Sequence, residues 1–318
     1  MKKIFPLFLA LPLLLAGCAP AEVSDGFRVA IVQQMDHASL DEIRAAVEAE
    51  LDAIAAETGV PIEYRVFNGQ NDATVLNQIG TQVVSGGYDA IIPIATLAAQ
   101  CMVTAADGTV PVIYAAISDP EGAGLTGLPN VTGTCDALDT AFLLDMMRTA
   151  DPALKTVGLL YSNSEVNSAA PIAAAKACLD SLGITWIEKT GSTADEILIA
   201  ASSLVGRVDA VFTPTDNVVM AAENAVAEIL NEAGIPHYCG ADAFVAAGAF
   251  AACGVDYTGL GRATARLAAQ VLLDGEVPPY QTVPGGILTV NAATAGKLGL
   301  DPAVFAGMGQ IVQIIDGD

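Results

Sequence analysis

The feature that most narrows the fold is a rhythm of apolar strands and amphipathic helices that runs from Arg28 to Leu273 and restarts once on the way. Arg28–Gln33 reads as a buried parallel strand, because Val29 to Val32 is apolar on both faces. Leu40, Ile43, Val47, Leu51 and Ile54 then recur at helical spacing. Ile62–Phe67 and Tyr88–Ile94 are strands, with a helix marked by Val75, Ile79 and Val83 between them. An alanine-rich helix follows Thr96, and Val110–Ile117 and the segment from Val131 are strands. The second run opens with a helix over Ala137–Arg148. Strands are expected at Thr156–Tyr161, Ile184–Glu188, Asp209–Pro214, Pro236–Gly240 and Ala249–Val255. Helices are expected at Ala169–Leu182, Ala194–Val205, Asn217–Ala233 and Gly261–Leu273. Strands separated by helical patterns build right-handed βαβ units, so the chain is α/β with parallel sheets, and two runs give two doubly wound lobes.

In such sheets a ligand sits beyond the carboxyl ends of the strands. Those ends are polar throughout. Gln33, Gln34, Asp36 and His37 follow the first strand, Thr96 the third, and Ser118 and Asp119 the fourth. In the second run Ser162 to Ser168 is almost wholly polar, with Ser164, Glu165, Asn167 and Ser168 among its residues. Thr215, Asp216 and Asn217, then Asp242, then Asp256 close later strands. A single Ser, Asp or Asn at such a junction is an ordinary helix cap. Six polar residues in the seven from Ser162 to Ser168 are more than a cap requires.

The amino terminus is a separate signal. Lys2 and Lys3 precede an apolar stretch from Ile4 to Ala16, too short for a permanent membrane span. It ends in Leu15-Ala16-Gly17-Cys18, the pattern of a bacterial lipobox, in which Cys18 becomes the lipidated first residue of the mature chain. Residues 1–18 are therefore set apart as signal peptide and lipobox, and the localisation expected is extracytoplasmic, with the membrane contacted through the lipid anchor alone. The net charge of −23 argues against nucleic acid as a partner.

Catalytic signatures are sparse. Gly122-Ala-Gly-Leu-Thr-Gly127 fits a dinucleotide fingerprint in letters, but Pro129 follows and no helix opens there. No nucleophile elbow and no P-loop is present. The two histidines, His37 and His237, are far apart in sequence, which argues against a metal site or a Ser-His triad. Cys101, Cys135, Cys178, Cys239 and Cys253 are widely spaced without a C-x-x-C and read as small buried side chains, with one disulfide left open. No cofactor, no metal and no enzymatic activity is expected.

Several segments, taken in order, resemble the substrate-binding proteins of ABC transporters, in particular those that take up tryptophan and other aromatic amino acids. They are Ile31–Asp41, Tyr88–Thr96, Ser118–Pro120, Asn130–Gly133, Gly158–Ser168, Val208–Asn217 and Gly254–Tyr257. The resemblance implies a type I periplasmic-binding-protein fold, two lobes joined by three crossings near 133–137, 256–258 and 277–285. The first lobe would comprise residues 27–134 and 258–278, the second 135–257 and 279–318. It also implies a small amino acid-like ligand, an aromatic one first, in a cleft that closes around it, and permease and ATPase subunits as partners. Gln34, Thr96, Ser118, Asp119, Ser164, Glu165, Asn167, Ser168, Asp216, Asn217 and Asp242 are the expected ligand-binding residues. Ser164, Asn167, Ser168 and Thr96 would hold a carboxylate, and Asp216, with Asp119 or Asp242 after it, an ammonium. Phe67, Tyr161 and Phe244 are candidates for an aromatic wall. A ligand-sensing lipoprotein of the same fold and a ligand other than an amino acid are the alternatives open at this point.

Overall fold

Strand β1 (Phe27–Gln33) lies at the centre of the first sheet, with Val29 to Val32 fully buried. It pairs in parallel with β2 (Ile62–Asn68) on one side and β3 (Ala90–Ile94) on the other. Beyond β3 come β4 (Val112–Tyr114) and β5 (Val131–Cys135), again parallel. The helices α1 (Ala38–Thr58), α2 (Ala73–Ser85) and α3 (Thr96–Ala106) fill the connections. Leu40, Ile43, Val47 and Leu51 form the buried stripe of α1 that the spacing predicts. Gly59, left-handed at φ 71°, ends the helix by donating its N–H to Ala55. This computed structural model describes residues 26–308 and 311–316. The signal peptide and Cys18 lie outside the described residues.

The second sheet has β6 (Thr156–Ser162) between β7 (Thr185–Gly191) and β8 (Ala210–Thr213), followed by β9 (His237–Cys239) and β10 (Ala251–Val255), all parallel. Around it lie α4 (Thr140–Ala150), α5 (Ala169–Leu182), α6 (Ala194–Ser202), α7 (Asn217–Glu232) and the short α8 (Asp242–Ala246). The chain passes between lobes after β5 and again at Asp256. There Asp256 accepts from the Gly259 N–H and starts α9 (Tyr257–Asp274), which packs on α1 in the first lobe. The last passage follows β11 (Gln281–Thr282) and precedes β12 (Gly285–Asn291). Two α/β lobes with three crossings are the type I arrangement that the sequence implies.

The differences lie in the last sixty residues. The boundary expected at 279 moves, because Gln281 and Thr282 pair with Thr134 and Cys135 at the edge of the first sheet. Helix α9 begins at Tyr257 rather than Gly261, so Tyr257 belongs with the first lobe. The second sheet is not wholly parallel: β12 runs antiparallel to β10, with a register shift at Gly254/Val255. It is extended by β13 (Ile311–Ile315), with α10 (Ala292–Leu298) between. Apolar packing is continuous from Ile43 in one lobe to Met220 and Phe244 in the other, so the cleft is shut.

Candidate functional site

A small cavity of about 30 Å³ lies between the lobes, at the carboxyl ends of both sheets. Its floor in the first lobe is made by two helix starts. His37 is the N-cap of α1 and Ala95 that of α3, and neither residue caps its helix with its own side chain. Ser39 and Leu40 of α1 and Thr96 of α3 also line the cavity. Free N–H groups at a helix start, with the helix dipole, favour an anion. Ala95 adopts φ 76°, ψ 164°, a conformation nearly restricted to glycine. That turn delivers Thr96 directly from the end of β3. The Leu97 N–H is taken by Gln34 Oε1 at 2.9 Å, so Gln34 holds the α3 start in place from outside the cavity.

Two buried polar atoms here have no partner among the described residues: Ser39 Oγ and His37 Nδ1. The ring state follows from its neighbours. Asn217 Nδ2 donates to Glu165 Oε2 at 2.6 Å, so Asn217 Oδ1 is the acceptor in its 3.0 Å contact with His37 Nε2. Burial lowers the His37 pKa, which keeps the ring neutral with the proton on Nε2 and an open acceptor at Nδ1.

Two aspartates face the same space. Asp136, in the first crossing, accepts from Ser118 Oγ at 3.0 Å and from the Tyr257 hydroxyl at 3.2 Å. Asp216 caps α7 through the Val219 N–H and also accepts from the Ser162 N–H at 2.7 Å and Ser168 Oγ at 2.6 Å. Burial raises the pKa of both. Among the described residues no lysine or arginine lines the cavity. Buried carboxylates without a cation favour a positively charged occupant. Leu40, Ile43, Met220, Ala241, Phe244 and the Tyr257 ring supply the apolar wall.

Of the residues expected from sequence, Thr96, Ser118, Asn167, Asp216 and Asn217 line the cavity. Gln34, Glu165 and Ser168 stand one layer behind. Gln34 Nε2 donates to Glu165 Oε1 at 2.9 Å across the lobes, and Ser168 is committed to Asp216. Asp119 caps a turn through the Gly122 N–H, Ser164 is exposed and bonded to Ser162, and Asp242 opens α8; none of these three lines the cavity. Phe244 is on the wall, whereas Phe67 and Tyr161 are not. Ser39, Asp136, Met220 and Tyr257 line it without having been anticipated. Asp136 and Tyr257 each carry the strand-end signal, since they follow β5 and β10 within two residues.

Residues 28–302 match the family model described as ABC transporter substrate binding protein. The chain belongs to this family. Its members are binding components of importers, not enzymes. A curated relative, the tyrosine-binding protein of Clostridioides difficile (strain R20291), is 32% identical over 291 residues, covering 85% of this chain and 84% of that one. The ABC domain in complex with L-Trp from Streptococcus pneumonia is 29% identical with a TM-score of 0.84, covering 91% of this chain and 100% of the other. A ligand-free, open substrate-binding protein with adhesive properties from Clostridium difficile is 30% identical, but its TM-score is 0.68, over 92% and 100% of the two chains. Identity is nearly the same for the two structures while the likeness differs, so this substrate-binding protein is nearer in arrangement to the L-Trp complex than to the ligand-free, open structure.

Proposed function

We propose that the ligand this importer component captures is an aromatic amino acid of the tyrosine or tryptophan type. The observation that carries the reading is the pairing, in one cavity between the lobes, of two helix starts not capped by their own N-cap side chains with two buried aspartates. The starts of α1 and α3, with Ser39 Oγ and Thr96, suit a carboxylate; Asp136 and Asp216 suit an ammonium. A molecule bearing both charges on adjacent carbons is an amino acid. Asp216 already accepts from three protein donors and Asp136 from two, so Asp136 has more room for the ammonium. The apolar wall around Phe244 and Met220 suits a large ring, as the ligands named for the two relatives do. Cys18 would carry the lipid that holds the mature chain at the outer face of the membrane, a reading supported by Leu15-Ala16-Gly17-Cys18. Among the described residues no helix is long and apolar enough to cross a membrane.

The test is calorimetric titration against the twenty amino acids, after unfolding and refolding to strip any carried-over ligand. Tyrosine, tryptophan or phenylalanine should bind. Asp136→Asn should weaken binding about 10- to 100-fold, the worth of a hydrogen bond to a charged group. A wild-type protein that binds none of the aromatic amino acids would overturn the reading.

A further inference from the structure

Behind the ligand cavity, inside the second lobe, three side chains with metal-ligating chemistry meet. They are Glu223 on α7 and His237 and Cys239 on β9. One ligand atom of each lies within 4.8 Å of the other two, and all three residues are fully buried. His237 and Cys239 are two apart on one strand and so share a face, the one turned to α7.

The hydrogen bonds around His237 fix what its ring presents. Thr213 Oγ1 donates its single proton to the Leu160 carbonyl at 2.9 Å. In its 2.8 Å contact with His237 Nε2 it is therefore the acceptor, and Nε2 carries a proton. The other nitrogen, Nδ1, faces Glu223 Oε1 at 2.9 Å. The second carboxylate oxygen, Glu223 Oε2, is buried with no hydrogen-bond partner among the described residues. An unpartnered carboxylate oxygen inside a core is costly, and the one ion-pair partner of Glu223 among the described residues is His237.

We propose that Glu223, His237 and Cys239 form a binding site for one divalent cation of the zinc class, held by a Glu223 carboxylate oxygen, His237 Nδ1 and Cys239 Sγ. The mixed oxygen, nitrogen and sulfur donor set suits zinc better than the hard cations, which prefer oxygen alone. An imidazole whose far N–H is anchored on an oxygen is the usual support of a metal-bound histidine. The distance in sequence between His37 and His237, which argues against a metal, is immaterial to a site that uses one histidine. The ion would lie directly behind the ligand wall: the Phe244 ring packs edge-on to His237, with centroids 6.5 Å apart.

Because the site is enclosed, the ion enters as the protein folds. The purified protein is therefore unfolded with a chelator and refolded with zinc, then passed through a desalting column and assayed for bound metal. The expected result is one zinc per chain and a melting temperature several degrees above that of protein refolded without metal. Refolding with cobalt should give a thiolate-to-cobalt absorption band that Cys239→Ala abolishes. Glu223→Gln, which keeps the shape of the side chain, should weaken zinc binding at least tenfold, and it decides the matter if Cys239→Ala does not refold. Folded wild-type protein holding far less than one zinc overturns the proposal and leaves a proton shared between Glu223 and His237. A cobalt band that persists in Cys239→Ala, or zinc affinity unchanged in Glu223→Gln, overturns it as well.

Discussion

Ser39 shows how binding and stability separate at single residues. Its hydroxyl is buried at the start of α1, lines the cavity and has no partner among the described residues. An unsatisfied hydroxyl costs stability while the ligand is absent and is repaid when a carboxylate arrives. Ser39→Ala should therefore leave the melting temperature of the empty protein unchanged or slightly raised, and weaken an aromatic amino acid about tenfold in the same titration. A lower melting temperature with unchanged affinity would mark Ser39 as structural. Asp216 behaves differently, because it caps α7 and ties β6 to it through the Ser162 N–H. Such strand-end residues are legible in sequence, since a polar residue that closes an apolar run belongs at the ligand edge of a sheet. Ser39 is not legible in that way. It lies inside the first turn of a helix, where a serine reads as solvent-exposed until the second lobe covers it. The reverse happens at Ser164, where the polar run from Ser162 to Ser168 divides. A single 3-10 turn over Val166–Ser168 directs Asn167 to the cavity and leaves Ser164 in water.

Among the elements, α1 and α9 set the position of the first-lobe half of the site. They approach so closely that a Cβ on Gly261 would meet the Ile43 carbonyl oxygen at 2.6 Å and Ala46 Cβ at 2.7 Å. Ile43 is itself on the cavity wall. Gly261→Ala should push the helices apart, lower stability by about 1–3 kcal/mol and weaken ligand binding with it. Gly296 in α10 supplies the contrast: it is exposed and nothing lies within 4 Å of a Cβ there. Gly296→Ala should raise stability by about 0.5–1 kcal/mol, because alanine loses less freedom in a helix. Thermal melts of the two variants check both signs. The βαβ elements were legible because each buried strand is an apolar run between helical stripes. The elements after α9 were not. Strand β11 is two residues long, and β12 takes its place by an antiparallel pairing across a bulge, which no local pattern announces.

Across the whole molecule, closure joins the lobes through Gln34 to Glu165 at 2.9 Å, His37 to Asn217 at 3.0 Å and Ser118 to Thr215 at 3.1 Å. Burial, then the neighbouring charge of Asp216, raises Glu165 to about 7. Opening returns its carboxyl to water and toward the ordinary value of about 4.3. The closed form thus holds the extra proton. Its contribution to closure is complete below about pH 4 and is lost as pH rises through 7. His37 acts in the opposite sense: burial lowers its pKa, so closure is disfavoured as pH falls through the ordinary histidine range. The share of ligand affinity owed to Glu165 should be lost as pH rises from about 4 to about 7, and Glu165→Gln should remove that loss while leaving the opposite effect of His37. Titrations across pH for both proteins test this; equal slopes would place the titrating group elsewhere. The closed cavity also sets a clock. A molecule gripped by both lobes leaves as they part, so its residence time follows the waiting time for that opening. Cargoes of different strength then share one ceiling on escape, and prompt hand-over requires a partner that pries the lobes open rather than one that competes for the cargo.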